Sequence, residues 1–105
     1  MKGVSLSFFI HESEKHEGML LYEWLLKMDK KSGISGGSVF KTISSFGHHG
    51  KIHEEHFFEL SSNGSLQVLF ILPDEKVEPL LARIQAEKLV LFYVLTPVTF
   101  GVTKN

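Results

Sequence analysis

The sequence predicts an α+β domain of element order β-α-β-β-α-β, and its changes of hydrophobic period predict it. Apolar residues alternate along Val4, Leu6, Phe8 and Ile10, then recur every three or four residues along Leu21, Trp24, Leu25 and Met28. Leu66 to Leu72 return to a strand pattern, Val77, Leu80, Leu81 and Ile84 form a second helical stripe, and Leu89 to Leu95 close the chain with an apolar run. A chain of 105 residues is the size of one domain, 1–105, able to bury roughly two-thirds of its unfolded surface.

The first strand, Val4 to Ile10, stops at His11-Glu12. Ser13 and Glu14 read as capping residues at the entrance of a helix spanning Gly18 to about Lys31. Lys27, Lys30 and Lys31 favour its C-terminal dipole, and Gly33 supplies the left-handed stop. Gly36-Gly37 turns the chain into a second strand, about Ser38 to Phe46, rich in β-branched and aromatic residues. A polar, flexible His-rich loop follows over about 47–56. Phe57 to Leu60 reads as a short strand, Ser61 to Gly64 as a turn, and Leu66 to Leu72 as the third long strand. Asp74 is an N-cap candidate after Pro73. Pro79 cannot donate a backbone hydrogen bond, so the second helix starts late or bends there. The last strand extends past Pro97 as a sheet edge, leaving a short tail over 99–105. This is the ferredoxin-like plan: a four-stranded antiparallel sheet with two helices on one face.

Both sheet faces carry apolar residues. Leu66, Val68, Phe70 and Leu72 lie on one side of the third strand, with Leu69 and Ile71 on the other. Two helices cover only one face, so the bare one is expected to pack on other copies of the chain as a homo-oligomer, or to be covered by the C-terminal tail. Eleven Lys+Arg against twelve Asp+Glu give no basic field for nucleic acid. The absence of cysteine excludes disulfides, thiolate metal sites and a thiol nucleophile, and fits a reducing, cytoplasmic setting. The N-terminal apolar stretch lacks a signal-peptide cleavage pattern, and no run approaches the about 20 apolar residues of a spanning helix.

Six histidines are the compositional anomaly, and four of them, His48, His49, His53 and His56, fall in one loop. Three readings of that loop stay open. Imidazole and carboxylate suit a divalent transition metal, which His48, His49, His53 and His56 would ligate. Gly47 and Gly50 free backbone amides that, with Lys51 and the histidines, could cradle phosphate. Histidines beside Glu54 and Glu55 could make a pH-responsive recognition loop. Elsewhere, His11-Glu12 and His16-Glu17 read as a solvated helix entrance and Glu87-Lys88 as a solvated helix end. No catalytic set emerges, so an enzyme is not expected.

The order Gly33-Ile34-Ser35-Gly36-Gly37-Ser38-Val39, Ser45-Phe46-Gly47, a loop, then Val68 to Val77 resembles the PII signalling proteins. More closely it resembles the PII-like family catalogued as domain of unknown function one-ninety, which also shares Ile10-His11-Glu12, Leu21-Tyr22-Glu23, His53 and Leu60-Ser61. The resemblance spans about residues 3 to 98. It implies a homotrimer, adenine nucleotide in clefts between subunits, and a loop after strand two that engages a transporter or enzyme target. The positions it transfers as nucleotide contacts are Ser38, Phe46 and Gly47, with His48 and His53 as phosphate or ribose partners. The Gly-rich basic loop of PII proteins is replaced here by Gln85-Ala86-Glu87-Lys88, and Lys41-Thr42 stands where close relatives carry Arg-Gly. On charge grounds these departures favour AMP or ADP over ATP. The alternative is a metal-binding trimer of copper-tolerance-like fold.

Overall fold

The computed structural model describes residues 1–31, 33, 36–42 and 64–104. In chain order it contains β1 (Lys2–His11), β2 (Lys15–His16), β3 (Met19–Leu20), α1 (Leu21–Lys31), β4 (Gly37–Lys41), β5 (Ser65–Pro73), α2 (Val77–Ala86) and β6 (Phe92–Thr99), with a 3-10 turn at Asp74–Lys76 before α2. The four long strands form one antiparallel sheet in the order β4-β5-β1-β6. Alternation decides which side is the core. Leu6 stands opposite Phe70 and Leu95, and Phe8 opposite Val68 and Tyr93, all on one face.

Against that face α1 lays Leu21, Leu25 and Met28 and α2 lays Leu80 and Ile84, and these join the sheet residues in one buried cluster. Each such side chain contributes roughly 1.5–3 kcal/mol by leaving water. The other face holds Phe9, Phe40, Leu69, Ile71, Phe92 and Val94. Phe40, Phe92 and Val94 remain 49%, 39% and 41% exposed, so the expected two-sided apolar sheet is present. Of the tail, Phe100 reaches this side at Gly3, where a Cβ would stand 2.8 Å from its ring, whereas Val102 is 85% exposed.

Several local expectations change. Glu17 and Gly18 both take positive φ, 52° and 80°, as a two-residue hairpin turn of the primed kind requires, and the turn joins β2 to β3. Helix α1 therefore starts at Leu21 instead of Gly18. Ser13 and Glu14 cap no helix, because their side chains turn back on His11: Glu14 Oε1 accepts the His11 N–H at 2.9 Å, and Ser13 Oγ lies 2.8 Å from His11 Nδ1. Asp74 is not the N-cap of α2, because the 3-10 turn intervenes and Lys76 takes the cap position without a side-chain bond. That late start places Pro79 in the first helical turn, where an absent N–H costs little. Gly37 belongs to β4 rather than to a turn. Gly33 does end α1 with a φ of 81°. Pro97 sits in β6, an edge strand, where it interrupts no inner ladder. The expected continuation of strand two to Phe46, the strand Phe57 to Leu60 and the turn at 61–63 lie outside the described residues.

Candidate functional site

Ser38 is exposed on β4, opposite Leu69 and on the uncovered face of the sheet. Three residues on, β4 ends at Lys41, whose Nζ lies 3.2 Å from Glu12 Oε1 at the end of β1. The Thr42 N–H and hydroxyl both donate to the Ser65 carbonyl, at 3.0 and 3.2 Å. The Glu12 N–H donates to the Gly64 carbonyl at 2.6 Å. The segment 43–63 thus departs and returns at one corner of the sheet. Gly64 is required there, because its φ is 78° and a Cβ would stand 2.9 Å from both Glu12 Cγ and His11 Nε2. This corner offers a lysine already balanced by a carboxylate, while Phe40 and, further up β4, Ser38 point to the opposite face of the sheet from Lys41. Of the positions transferred from the resemblance, Ser38 is placed. Phe46, Gly47, His48 and His53, with His49 and His56 of the metal reading, lie outside the described residues.

A second cluster, absent from the sequence reading, joins the β2–β3 hairpin to the end of α2. His16 Nε2 lies 2.9 Å from Glu87 Oε1 and 3.9 Å from Glu17 Oε2. The imidazole packs edge-on against Trp24, with ring centroids 4.8 Å apart at 81°, and its side chain is only 16% exposed. Glu87 is the C-cap of α2. Lys88, with a φ of 61°, donates to the Gln85 carbonyl and Leu89 to that of Ile84, the paired bonds of a Schellman ending. The hydrogen bond from His16, with that from Glu17 second, holds the Glu87 carboxyl below its usual range. Glu17 and Glu87 line a groove of about 210 Å³ together with Trp24, Lys27, Lys31 and Arg83.

Neither His16-Glu17 nor Glu87-Lys88 is therefore merely solvated, although each looks so alone. The pairing was invisible because 71 residues separate His16 from Glu87. The one local clue was Glu17-Gly18, an acceptable hairpin turn. Asp29 was also missed. It lies on the buried stripe of α1, and neither carboxylate oxygen has a hydrogen-bond partner among the described residues. Burial pushes its carboxyl up from 3.8 to about 7.

The family model described as "Uncharacterized ACR, COG1993", DUF190, matches residues 3–99. A UPF0166 protein of Aquifex aeolicus is 32% identical over 82 residues, covering 78% of each chain. The UPF0166 protein MJ1524 of Methanocaldococcus jannaschii is 31% identical over 84 residues, 80% of this chain and 77% of that one. Among solved structures, the chain is similar to CPII of Thiomonas intermedia K12, a nitrogen regulatory PII-like protein, bound to ADP, AMP and bicarbonate. The TM-score is 0.67 at 16% identity, with 96% of this chain and 97% of that one covered. The apo form of CPII superposes with a TM-score of 0.63 at 15% identity over 98% and 96% of the two chains. At such identity the likeness is one of fold.

Proposed function

Because the chain belongs to the PII-like DUF190 family, we propose that it is a cytoplasmic sensor that binds an adenine nucleotide between subunits of a homotrimer and acts by binding, not catalysis. The observation that carries this reading is the sheet corner at Ser38, Lys41, Glu12 and Thr42. It brings Thr42 and Gly64, which flank the segment 43–63, to one end of the sheet, with Ser38 three residues up β4 on the uncovered face. A ligand seated there touches the root of the loop and so can favour one loop state over another, which is what a signal to a transporter or enzyme target needs. The apolar face supports assembly, and the ADP and AMP bound by CPII support the ligand class. Among the described residues no helix is long and apolar enough to cross a membrane.

Charge favours AMP or ADP over ATP. Lys41 is paired with Glu12, and the connection from α2 to β6 adds only Lys88. Calorimetric titration with AMP, ADP and ATP, with and without magnesium, tests the proposal. Heat from AMP or ADP that is lost on Ser38→Trp and Gly47→Trp is expected. Silence with all three nucleotides overturns nucleotide sensing, and a monomer by light scattering overturns the inter-subunit site.

A further inference from the structure

We infer that His16, Glu17 and Glu87 form a divalent transition-metal site, made of residues that belong neither to the His-rich loop nor to the sheet corner. The three side chains each offer one ligand atom, and those atoms all lie within 4.8 Å of one another. Ligands about 2.1 Å from a metal stand roughly 3.0–3.4 Å apart in tetrahedral or octahedral shells. The His16 Nε2 to Glu87 Oε1 separation of 2.9 Å is already close to that spacing. Glu17 Oε2, at 3.9 Å, belongs to a side chain that is 60% exposed and closes the remaining gap by rotating.

Two of the three ligands are positioned before any ion arrives. Trp24 fixes the His16 ring from its edge, and the Schellman ending of α2 fixes the backbone of Glu87. A nitrogen lone pair cannot face a carboxylate at 2.9 Å unless a proton or a metal lies between them. The neutral Nε2–H tautomer supplies that proton, and a divalent ion taking its place would engage both carboxylates in competition with Lys27, Lys31 and Arg83 of the same groove. One imidazole nitrogen and two carboxylate oxygens suit zinc, cobalt, nickel or manganese. They do not suit the all-oxygen shells of calcium and magnesium. Both carboxylates also line the groove, so the remaining coordination positions open to water there.

The chain's only tryptophan lies 4.8 Å from His16, so it reports the site directly. The experiment titrates Ni²⁺ or Co²⁺ alone into the full chain carrying Asn in place of His48, His49, His53 and His56, and reads tryptophan fluorescence. Saturable quenching at one ion per chain is expected, reversed by Zn²⁺ and weakened at least about 10-fold by Glu17→Gln and by His16→Asn. Quenching that is absent, or unchanged in Glu17→Gln, overturns the site and leaves a plain His16–Glu87 hydrogen bond. Glu17 is exposed, so its variant stays decisive should His16→Asn unfold on circular dichroism. Nucleotide titration of Glu17→Gln in the chain with all its histidines intact separates this site from the sensor reading, because the metal site can fail while nucleotide binding persists.

Discussion

His16 and Glu87 meet across 71 residues of chain, with 2.9 Å between Nε2 and Oε1. The contact fastens the β2–β3 hairpin to the C-terminal end of α2, two pieces that share little else. Cutting it should loosen the hairpin while sparing the sheet. Glu87→Gln and His16→Asn are expected to red-shift and broaden Trp24 emission, because the ring loses the edge contact or its anchor. Hydrogen exchange should quicken at Leu21, whose N–H donates to the Glu14 carbonyl at 2.7 Å. Unchanged emission and exchange in both variants would show that Trp24 is held by α1 packing alone.

The fold was legible because every core element has its own period. Leu6, Phe8 and Ile10 need a strand, and Leu21, Leu25 and Met28 need a helix. A four-strand, two-helix order leaves few topologies. The boundaries failed where a short-range signal had two structural meanings. Ser13-Glu14 and Asp74 look like helix caps, but one closes a turn on His11 and the other opens a 3-10 turn. At the sheet corner, the Lys41–Glu12 pair is a tertiary contact with no local mark. The same holds for His16 and Glu87. Asp29 was overlooked because a charged residue on a helix is read as exposed, and only the packed structure places it on the stripe continued from Leu25.

Asp29 makes stability depend on pH in an unusual direction. Its folded-state pKa is raised to about 7 from 3.8, so the folded chain holds a proton that the unfolded chain releases. The group carries no penalty below about pH 4. The penalty grows as pH rises toward 7 and is complete above it, summing to on the order of 4 kcal/mol. Asp29→Asn keeps the shape without the charge. Urea unfolding at pH 5 and pH 8 should show the variant gaining on the parent chain as pH rises. An equal difference at both pH values would mean that Asp29 finds a cation in the assembled protein.

Gly37 is a strand residue whose missing side chain leaves room for a ring. A Cβ there would stand 2.5 Å from Phe70 Cε1 and 3.1 Å from Leu26 Cδ2, and Phe70 is fully buried with nowhere to retreat. Gly37→Ala is expected to destabilise by about 1–3 kcal/mol and to loosen β4 against β5. Gly36 is the control, because a Cβ at that position meets nothing within 4 Å among the described residues. Denaturation midpoints of the two variants check this. Equal midpoints would mean that β4 shifts on its neighbour without cost, which its five residues of pairing argue against.

Val94 lies on the uncovered face along the edge strand β6, opposite Ser7 of β1. Because it is 41% exposed, a lysine there adds charge without opening the core, and charge on an apolar sheet face blocks close packing of copies. Val94→Lys should keep the far-ultraviolet circular dichroism of the parent and fall to monomer mass in light scattering. If the nucleotide sits between subunits, its affinity should fall in the same variant, although Val94 carries no group suited to phosphate. A variant that dissociates yet binds nucleotide undiminished would place the ligand within one subunit. An assembly that survives Val94→Lys would have to use a surface other than this one, and the exposed apolar face would then need a different partner.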